Sequence, residues 1–163
     1  MAELDRIDVT LVRLLQNNAR FSNKQLAAKV GLAPSSCHER LKKLWDTGVF
    51  TGAHAAVDPA RFGLGLQALL MIGLTKHERD TVDTFMDHAA AVPEVTAVYL
   101  ITGQYDVVVH VTVRDTTHLK NLALDNFNRQ FGVTRIETSI VYEARQNPVM
   151  PDIGAVQGEE QSA

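Results

Sequence analysis

The side chains best suited to bind another molecule are concentrated between Pro34 and Thr47, in the sequence PSSCHERLKKLWDT. Its hydroxyl, imidazole and carboxylate groups can form hydrogen bonds with base edges in a DNA major groove, and its lysines can neutralise phosphates. Glu39 has two interpretations, since it can accept from a cytosine amino group or pair with Lys43 one turn later. We predict base contacts from Ser35, Ser36, His38 and Glu39, phosphate contacts from Lys42 and Lys43, and outer contacts from Arg20 and Lys24.

The same stretch has the pattern of a helix that starts at Pro34 and stops before Gly48. Proline suits the first helical position because its missing N–H has no intrahelical partner there, and glycine suits the left-handed residue after a helix. Cys37, Leu41 and Leu44 share one narrow apolar face at about 100° per residue. An ordinary surface helix with a solvated charged face has the same pattern, so the neighbouring sequence has to decide between the two.

The preceding residues complete a helix-turn-helix pattern. Apolar residues recur at helical spacing across residues 4–18. Ser22 and Gln25, three residues apart, predict a capping box that opens a short second helix, and Gly31 ends it. Two short helices joined by a tight turn that contains glycine are typical of a helix-turn-helix.

The residues after the third helix predict a wing. The sequence VFTGAHAAV at residues 49–57 fits a strand, a turn and a second strand, with Gly52 at the turn or in a bulge. Residues 1–58 carry a net charge of +2 and residues 59–163 one of −5. This asymmetry favours an anionic partner, double-stranded DNA, for the first part of the chain. A small helical domain that binds a protein is the alternative.

A second group of polar residues occurs in one predicted turn of the later sequence. It combines a hydroxyl, an amide, a phenol, a carboxylate and several backbone N–H groups, which together can hold the ammonium and carboxylate groups of an amino acid. A plain hairpin connection is the alternative, because it would equally explain the glycine. The residues are Thr102, Gly103, Gln104, Tyr105 and Asp106.

The later sequence predicts an α+β fold with the order β-α-β-β-α-β, the ferredoxin-like arrangement. The predicted strands are residues 67–75, 95–102, 106–113 and 133–142, and the predicted helices are residues 78–91 and 116–131. Such a sheet has helices on one face only, yet its strands are rich in Val, Ile and Leu. We therefore expect the other face to pair with a second copy of the chain, in an obligate homodimer.

The sequence does not indicate catalysis, a cofactor or a metal site. It has no G-x-S-x-G, no H-E-x-x-H and no glycine-rich phosphate loop. Cys37 is the only cysteine, and the six histidines lack the spacing of a ligand set. No apolar run is long enough to span a bilayer, and the first residues lack a signal-peptide core. We expect a cytoplasmic protein that is not an enzyme.

Three segments of the chain resemble the Lrp/AsnC family of transcriptional regulators. The sequence LDRIDVTLVRLLQNNARFSNKQLAAKVGLAPSSCHERLKKLWDTGVFTG is similar to the DNA-binding half of the family. VTAVYLITGQYD at residues 95–106 resembles its effector-domain hairpin, and QNPVMP at residues 146–151 resembles the end of its asparagine-responsive branch. The resemblance covers nearly all of residues 4–151.

The resemblance implies a winged helix-turn-helix joined by a hinge to a ferredoxin-like regulatory domain. It also implies dimers formed through the sheets, further assembly into tetramers or octamers, and amino acids or related molecules bound between regulatory domains. In this sequence the implied effector residues are those of the 102–106 turn, with Thr134 and Thr138 from a neighbouring subunit. We assign residues 1–57 to DNA binding, 58–66 to a hinge, 67–151 to effector binding and oligomerisation, and 152–163 to a disordered tail.

The chain departs from the family pattern at three positions. Ala33 stands where members often have a helix-capping serine, and His38 replaces a common apolar residue. Asp106 makes the turn more acidic than Ser or Asn would, which disfavours asparagine as the ligand. A DNA-binding regulator with an amino-acid effector is the leading hypothesis. The alternatives are an architectural DNA-binding protein without an effector and a small-molecule sensor that acts through a protein partner.

Overall fold

A computed structural model describes residues 4–75, 79–127, 132–145, 147 and 149–150. The chain divides into two compact units, one with residues up to 55 and those from 145 onward, the other with residues 56–144. A short 3₁₀ helix, Pro59–Phe62, lies in the predicted hinge, where the Asp58 carboxylate accepts a hydrogen bond from the Ala60 N–H at 3.0 Å. The assignment of residues 58–66 as a hinge stays a prediction.

The first unit contains three helices that begin and end as their sequences indicate. They are α1, Arg6–Asn17, α2, Asn23–Val30, and α3, Pro34–Asp46. The predicted capping box of Ser22 and Gln25 is confirmed at the start of α2, and Asp5 with Asp8 forms another at the start of α1. Gly31 ends α2 with a φ of 69°, a backbone conformation that glycine adopts without strain.

The helix-turn-helix encloses its own small apolar core. Leu11, Leu26, Ala27, Cys37 and Leu44 are each at most 1% exposed, and Leu41 packs against them. The predicted inner face of the third helix is therefore confirmed. Burial raises the pKa of the Cys37 thiol above its ordinary value, which is consistent with a small apolar packing residue rather than a reactive thiolate.

The predicted wing strands do not form. Residues 51–58 contain no strand, and every one of them is exposed. This part of the prediction is wrong for a physical reason. Three alanines and Gly52 bury little apolar surface, and a two-stranded ribbon without such a surface is marginal in water.

The second unit confirms the β-α-β-β-α-β order. Its elements are β1, Leu66–Leu74, α4, Arg79–Ala90, β2, Val95–Leu100, β3, Val107–Val113, α5, Thr116–Asn126, and β4, Val133–Val141. The four strands form one antiparallel sheet in the order β2-β3-β1-β4. Helix α5 ends earlier than predicted, with Phe127 as its C-cap residue, and predicted helical residues 128–131 lie outside the described part.

Burial alternates along the two central strands, so one face of the sheet is buried under the helices and the other is only half-buried. Leu70 and Ile72 of β1 pair with Val109 and Val107 of β3, all are fully buried, and they share one core with Phe85 of α4. The residues between them are only half-buried: Leu69, Met71, Val108 and His110. No helix in the described part of the chain is long and apolar enough to cross a membrane.

Candidate functional site

The predicted DNA-contacting residues lie on the exposed side of α3. Ser35, Ser36, His38, Glu39, Lys42 and Lys43 form this side, while Cys37 and Leu44 on the opposite side are buried. No ion pair joins Glu39 to Lys43 among the described residues, so the Glu39 carboxylate is not engaged with its neighbour one turn away. Arg20, in the connection after α1, and Lys24, at the start of α2, are exposed as well.

Arg40 links α3 to the beginning of α1 through two ion pairs. Its Nη1 atom lies 2.6 Å from Asp5 Oδ2 and 2.8 Å from Asp8 Oδ1. The Asp8 side chain is only 8% exposed, and a carboxylate buried to this extent needs a cationic partner. The two carboxylates that cap α1 therefore also orient α3. Sequence reasoning missed this role. The available signal was the position of Arg40, three residues after Cys37 and beside the apolar face, where a cation indicates a partner on a neighbouring helix.

A second polar contact holds the first turn of α3. Ala33 is its N-cap residue and provides no side-chain hydrogen bond, as its sequence predicts. The Asn23 side chain, at the start of α2, donates instead to the Pro34 carbonyl at 2.8 Å. The exposed residues of α3 are thus presented by a helix that is fixed to both α1 and α2.

The 102–106 turn is bound to the end of β1. The Asp106 N–H donates to the Ile72 carbonyl at 2.9 Å, and the Asp106 carboxylate accepts from the Leu74 N–H at 2.7 Å. Gly103 has a φ of 123°, which other residues rarely adopt. Asp106 therefore has a structural task, in addition to any contact with a ligand.

Two charged residues of β4 join this turn, and sequence reasoning missed both. The Arg135 guanidinium carbon lies 4.2 Å from the centre of the Tyr105 ring, and Arg135 also donates to the Gln104 carbonyl. The Tyr105 hydroxyl donates to the Glu137 carboxylate, and this hydrogen bond raises the pKa of Tyr105 above its ordinary value. Arg135 and Glu137 are two residues apart on one strand and therefore share a face, which was the signal that the sequence offered.

Thr134 and Thr138 do not join the turn within one chain. The Thr134 hydroxyl donates to the Gly73 carbonyl at 2.9 Å, and Thr138 is paired with Leu70, whose side chain is buried under the helices. Because alternate residues of a strand point to opposite faces, Thr138 lies on the face opposite Glu137. The Thr134 hydroxyl lies beside the Arg135 side chain, since both are 3.2 Å from the place that a Cβ on Gly73 would take. A site that contains both the turn and Thr138 therefore requires more than one chain.

The described residues contain no group of three or more His, Cys, Asp or Glu side chains that could hold a metal ion. Two histidines of the second unit have ordinary hydrogen-bond partners. The His110 ring lies 2.9 Å from the Thr96 hydroxyl, and the His88 ring lies 2.9 Å from the Asn126 carbonyl.

Comparison with known proteins assigns both units of the chain. Residues 4–44 match the AsnC-type helix-turn-helix domain, and residues 67–148 match the Lrp/AsnC ligand binding domain. The HTH-type transcriptional regulator AldR of Mycolicibacterium smegmatis is 38% identical over 141 residues, which cover 86% of this chain and 82% of AldR.

Two solved structures share the fold. One is a transcriptional regulator from Neisseria meningitidis in complex with L-Met, with a TM-score of 0.85 and 28% identity over 92% of this chain and 97% of that one. The other is Escherichia coli AsnC, with a TM-score of 0.76 and 27% identity over 91% of this chain and 96% of that one.

The Arg40 contacts predict a pH-dependent stability of the helix-turn-helix. Hydrogen bonds from the backbone N–H of Asp8 and from the Arg40 side chain lower the pKa of Asp5 below its ordinary value of 3.8. This stabilisation is present above the unfolded-state pKa and is lost as the pH falls through the lower folded-state pKa. Asp5→Asn removes this carboxyl. Below pH 3.8 the free energy of unfolding of the variant should therefore fall less with decreasing pH than that of the wild type. Urea unfolding at a series of pH values measures the difference.

Arg40→Met should lower the free energy of unfolding by about 2 kcal/mol at neutral pH, because it leaves the Asp8 carboxylate buried without its partner. The fluorescence of Trp45, the only tryptophan, reports the unfolding of α3. Arg20→Met, at an exposed arginine, is the matched control and should change stability little. Equal effects of the two substitutions would contradict the proposed role of Arg40.

Proposed function

The chain belongs to the Lrp/AsnC family of transcriptional regulators, and on that premise we propose that α3 reads DNA while the second unit senses an amino acid or a related small molecule. One observation carries the DNA-binding part. The exposed side of α3 combines four potential base-reading groups with two lysines, on a helix that Arg40 and Asn23 hold in place. Binding of the effector would then change DNA binding or assembly.

Each residue type on α3 has a separate task in this proposal. The residues near the N-terminus of the helix would contact base edges, as recognition helices do. The lysines one turn later would contact phosphates, which adds affinity without adding sequence preference. Two copies of α3 related by a two-fold axis would read a roughly palindromic site, with half-sites about one helical turn apart.

Substitution of the two lysines tests the DNA interface. Lys42→Ala with Lys43→Ala should weaken binding to operator and unrelated DNA alike. It should also reduce the slope of log K against log salt by about 0.9 for each phosphate that is no longer neutralised. Titration of labelled DNA fragments from the upstream region of the gene at several salt concentrations gives this slope.

Lys29→Ala is the matched control, because Lys29 belongs to α2 and is not part of the α3 surface. Its amine lies 5.1 Å from the centre of the Phe21 ring. It should leave the salt slope unchanged. An unchanged slope for the double variant would mean that Lys42 and Lys43 do not touch phosphates. If no fragment bound at all while amino acids still did, the alternative of a sensor with a protein partner would be supported.

We also propose that the second unit forms a homodimer through the face of the sheet opposite α4 and α5, and that dimers assemble further into tetramers or octamers. The supporting observation is the half-buried apolar group on that face, Leu69, Met71 and Val108, beside Tyr99, which is 55% exposed. A second copy would remove this surface from water. It would also supply the additional chain that a site containing both the 102–106 turn and Thr138 requires.

Met71→Glu should shift the assembly towards monomer, because it places a charge among these apolar side chains on the central strand β1. Analytical ultracentrifugation at micromolar concentration measures the change. Asn121→Glu, at an exposed position of α5, introduces the same charge elsewhere and should leave the assembly unchanged. A wild-type chain that sediments as a stable monomer would refute the dimer.

The 102–106 turn is the proposed effector site. It combines backbone N–H groups with hydroxyl, amide and carboxylate groups, and Arg135 and Glu137 add both charge signs beside it. Opposite charges suit a zwitterionic amino acid, whose ammonium and carboxylate groups need separate partners. The Neisseria meningitidis relative was solved with L-Met, which supports an amino acid as the class of ligand.

Thermal unfolding in the presence of each of the twenty amino acids tests this site. A ligand at 100 times its dissociation constant adds about 2.7 kcal/mol of stability and should raise Tm clearly. Gly103→Val should abolish the response, because valine cannot adopt a φ of 123° without strain. Gly65→Ala, where an added Cβ meets open space, should preserve it. The absence of any response in the wild type would support the architectural alternative.

A further inference from the structure

An open groove lies between α5 and β4, on the side of the sheet that faces the helices. Its volume is about 660 Å³, within the range of small-molecule sites. The groove exists because β4 is an edge strand, which is bonded to β1 on one side only among the described strands. Its floor and walls are mostly apolar: Leu119, Ala123, Leu124, Phe127, Ile136 and Ile140.

The apolar lining is partly open to water. Leu124 is 63% exposed and Ile140 is 42% exposed, although both are large aliphatic residues. Phe127, at the end of α5, also lines the groove but is buried. An apolar molecule that filled this space would gain about 25 cal/mol for each Å² of apolar surface removed from water.

The charged groups around the groove have one sign. Lys120 and Arg135 border it, and no Asp or Glu is among the described residues that line it. The Arg135 guanidinium lies at the 102–106 turn, against the Tyr105 ring and the Gln104 carbonyl. Lys120, exposed on α5, has no ion pair or hydrogen bond with any described residue and can therefore accept an anionic partner.

Hydroxyl groups supply the remaining polar contacts. Thr116, at the start of α5, and Thr138, on β4, both line the groove. Either hydroxyl can donate to a carbonyl or carboxylate oxygen, but neither replaces a negative charge. An ammonium group placed in this groove would therefore lose its hydration without gaining a carboxylate partner.

We propose that the groove between α5 and β4 binds an apolar monocarboxylate that lacks an ammonium group, such as a branched-chain 2-oxo acid. The aliphatic body would lie against Leu124 and Ile140, and the carboxylate would pair with Lys120. This site is separate from the proposed amino-acid site at the 102–106 turn, where Asp106 and Glu137 supply negative charge. The two sites thus differ in the ligand charge that they accept.

A matched pair of probes tests this discrimination. 4-Methyl-2-oxopentanoate and L-leucine have the same aliphatic body and differ in the group at the α-carbon. Isothermal titration of the full-length chain should show binding of the oxo acid that Lys120→Gln weakens about tenfold, because the carboxylate then has no cationic partner on α5. Lys120→Arg should keep most of the affinity, and Lys29→Gln, which removes the same charge from α2, should keep all of it.

A second variant removes the groove without changing any charge. Ala123→Phe should fill it and abolish binding of the oxo acid, with circular dichroism confirming that α5 and the sheet still form. Binding of the oxo acid that is unaffected by both Lys120→Gln and Ala123→Phe would overturn the proposal. So would the absence of oxo-acid binding, or L-leucine binding that is equally sensitive to Lys120→Gln.

The turn and the groove can be separated experimentally. Gly103→Val should abolish the response to amino acids and leave the affinity for 4-methyl-2-oxopentanoate unchanged. If no amino acid bound while the oxo acid still depended on Lys120, the effector assignment of the turn would fail and the groove assignment would stand. The reverse result would refute the groove and retain the turn.

Discussion

Hydrogen bonds to the last residues of β1 hold the 102–106 turn and β4 of the second unit in place. Ile72 accepts from the Asp106 N–H, Leu74 donates to the Asp106 carboxylate, and Gly73 accepts from the Thr134 hydroxyl. This short segment therefore anchors the 102–106 turn on one side and β4 on the other. At Gly73 an added Cβ would lie 3.2 Å from the Arg135 Cγ and from the Thr134 Oγ1, which is closer than most Cβ contacts. A larger residue would therefore have to displace these two side chains of β4.

A different constraint acts in the first unit, where polar contacts take the place of a helix cap. The third helix has no side-chain cap at Ala33, yet the proposed contact with DNA requires its exposed groups to keep a fixed orientation. Arg40 and Asn23 meet this need through contacts with the capping carboxylates of α1 and across to the Pro34 carbonyl. The apolar core formed with Leu11, Leu26 and Leu44 supplies cohesion, and the polar contacts select one orientation.

Strand β4 connects the two proposed ligand sites. Arg135 and Glu137 contact the turn, whereas Thr138 and Ile140 line the groove beside α5, which Arg135 also borders. A molecule in either site would therefore contact the same strand.

The sequence by itself determined the elements, their order, the capping residues and the apolar face of α3. Each of these depends on residues within about four positions of one another or on a simple period. Only the tertiary structure decided the contacts of Arg40, which is 32 residues from Asp8 and 35 from Asp5 along the chain. The same holds for the contacts of the turn with β4, because Tyr105 is 32 residues from Glu137 and Gln104 is 31 from Arg135. The Arg40 contacts depend on how α3 packs against α1. The contacts with β4 depend on strand register, and a slip of one residue exchanges the two faces of a strand. The missing wing strands have a different reason, since the alanines and Gly52 of residues 49–57 bury too little apolar surface to stabilise a two-stranded ribbon.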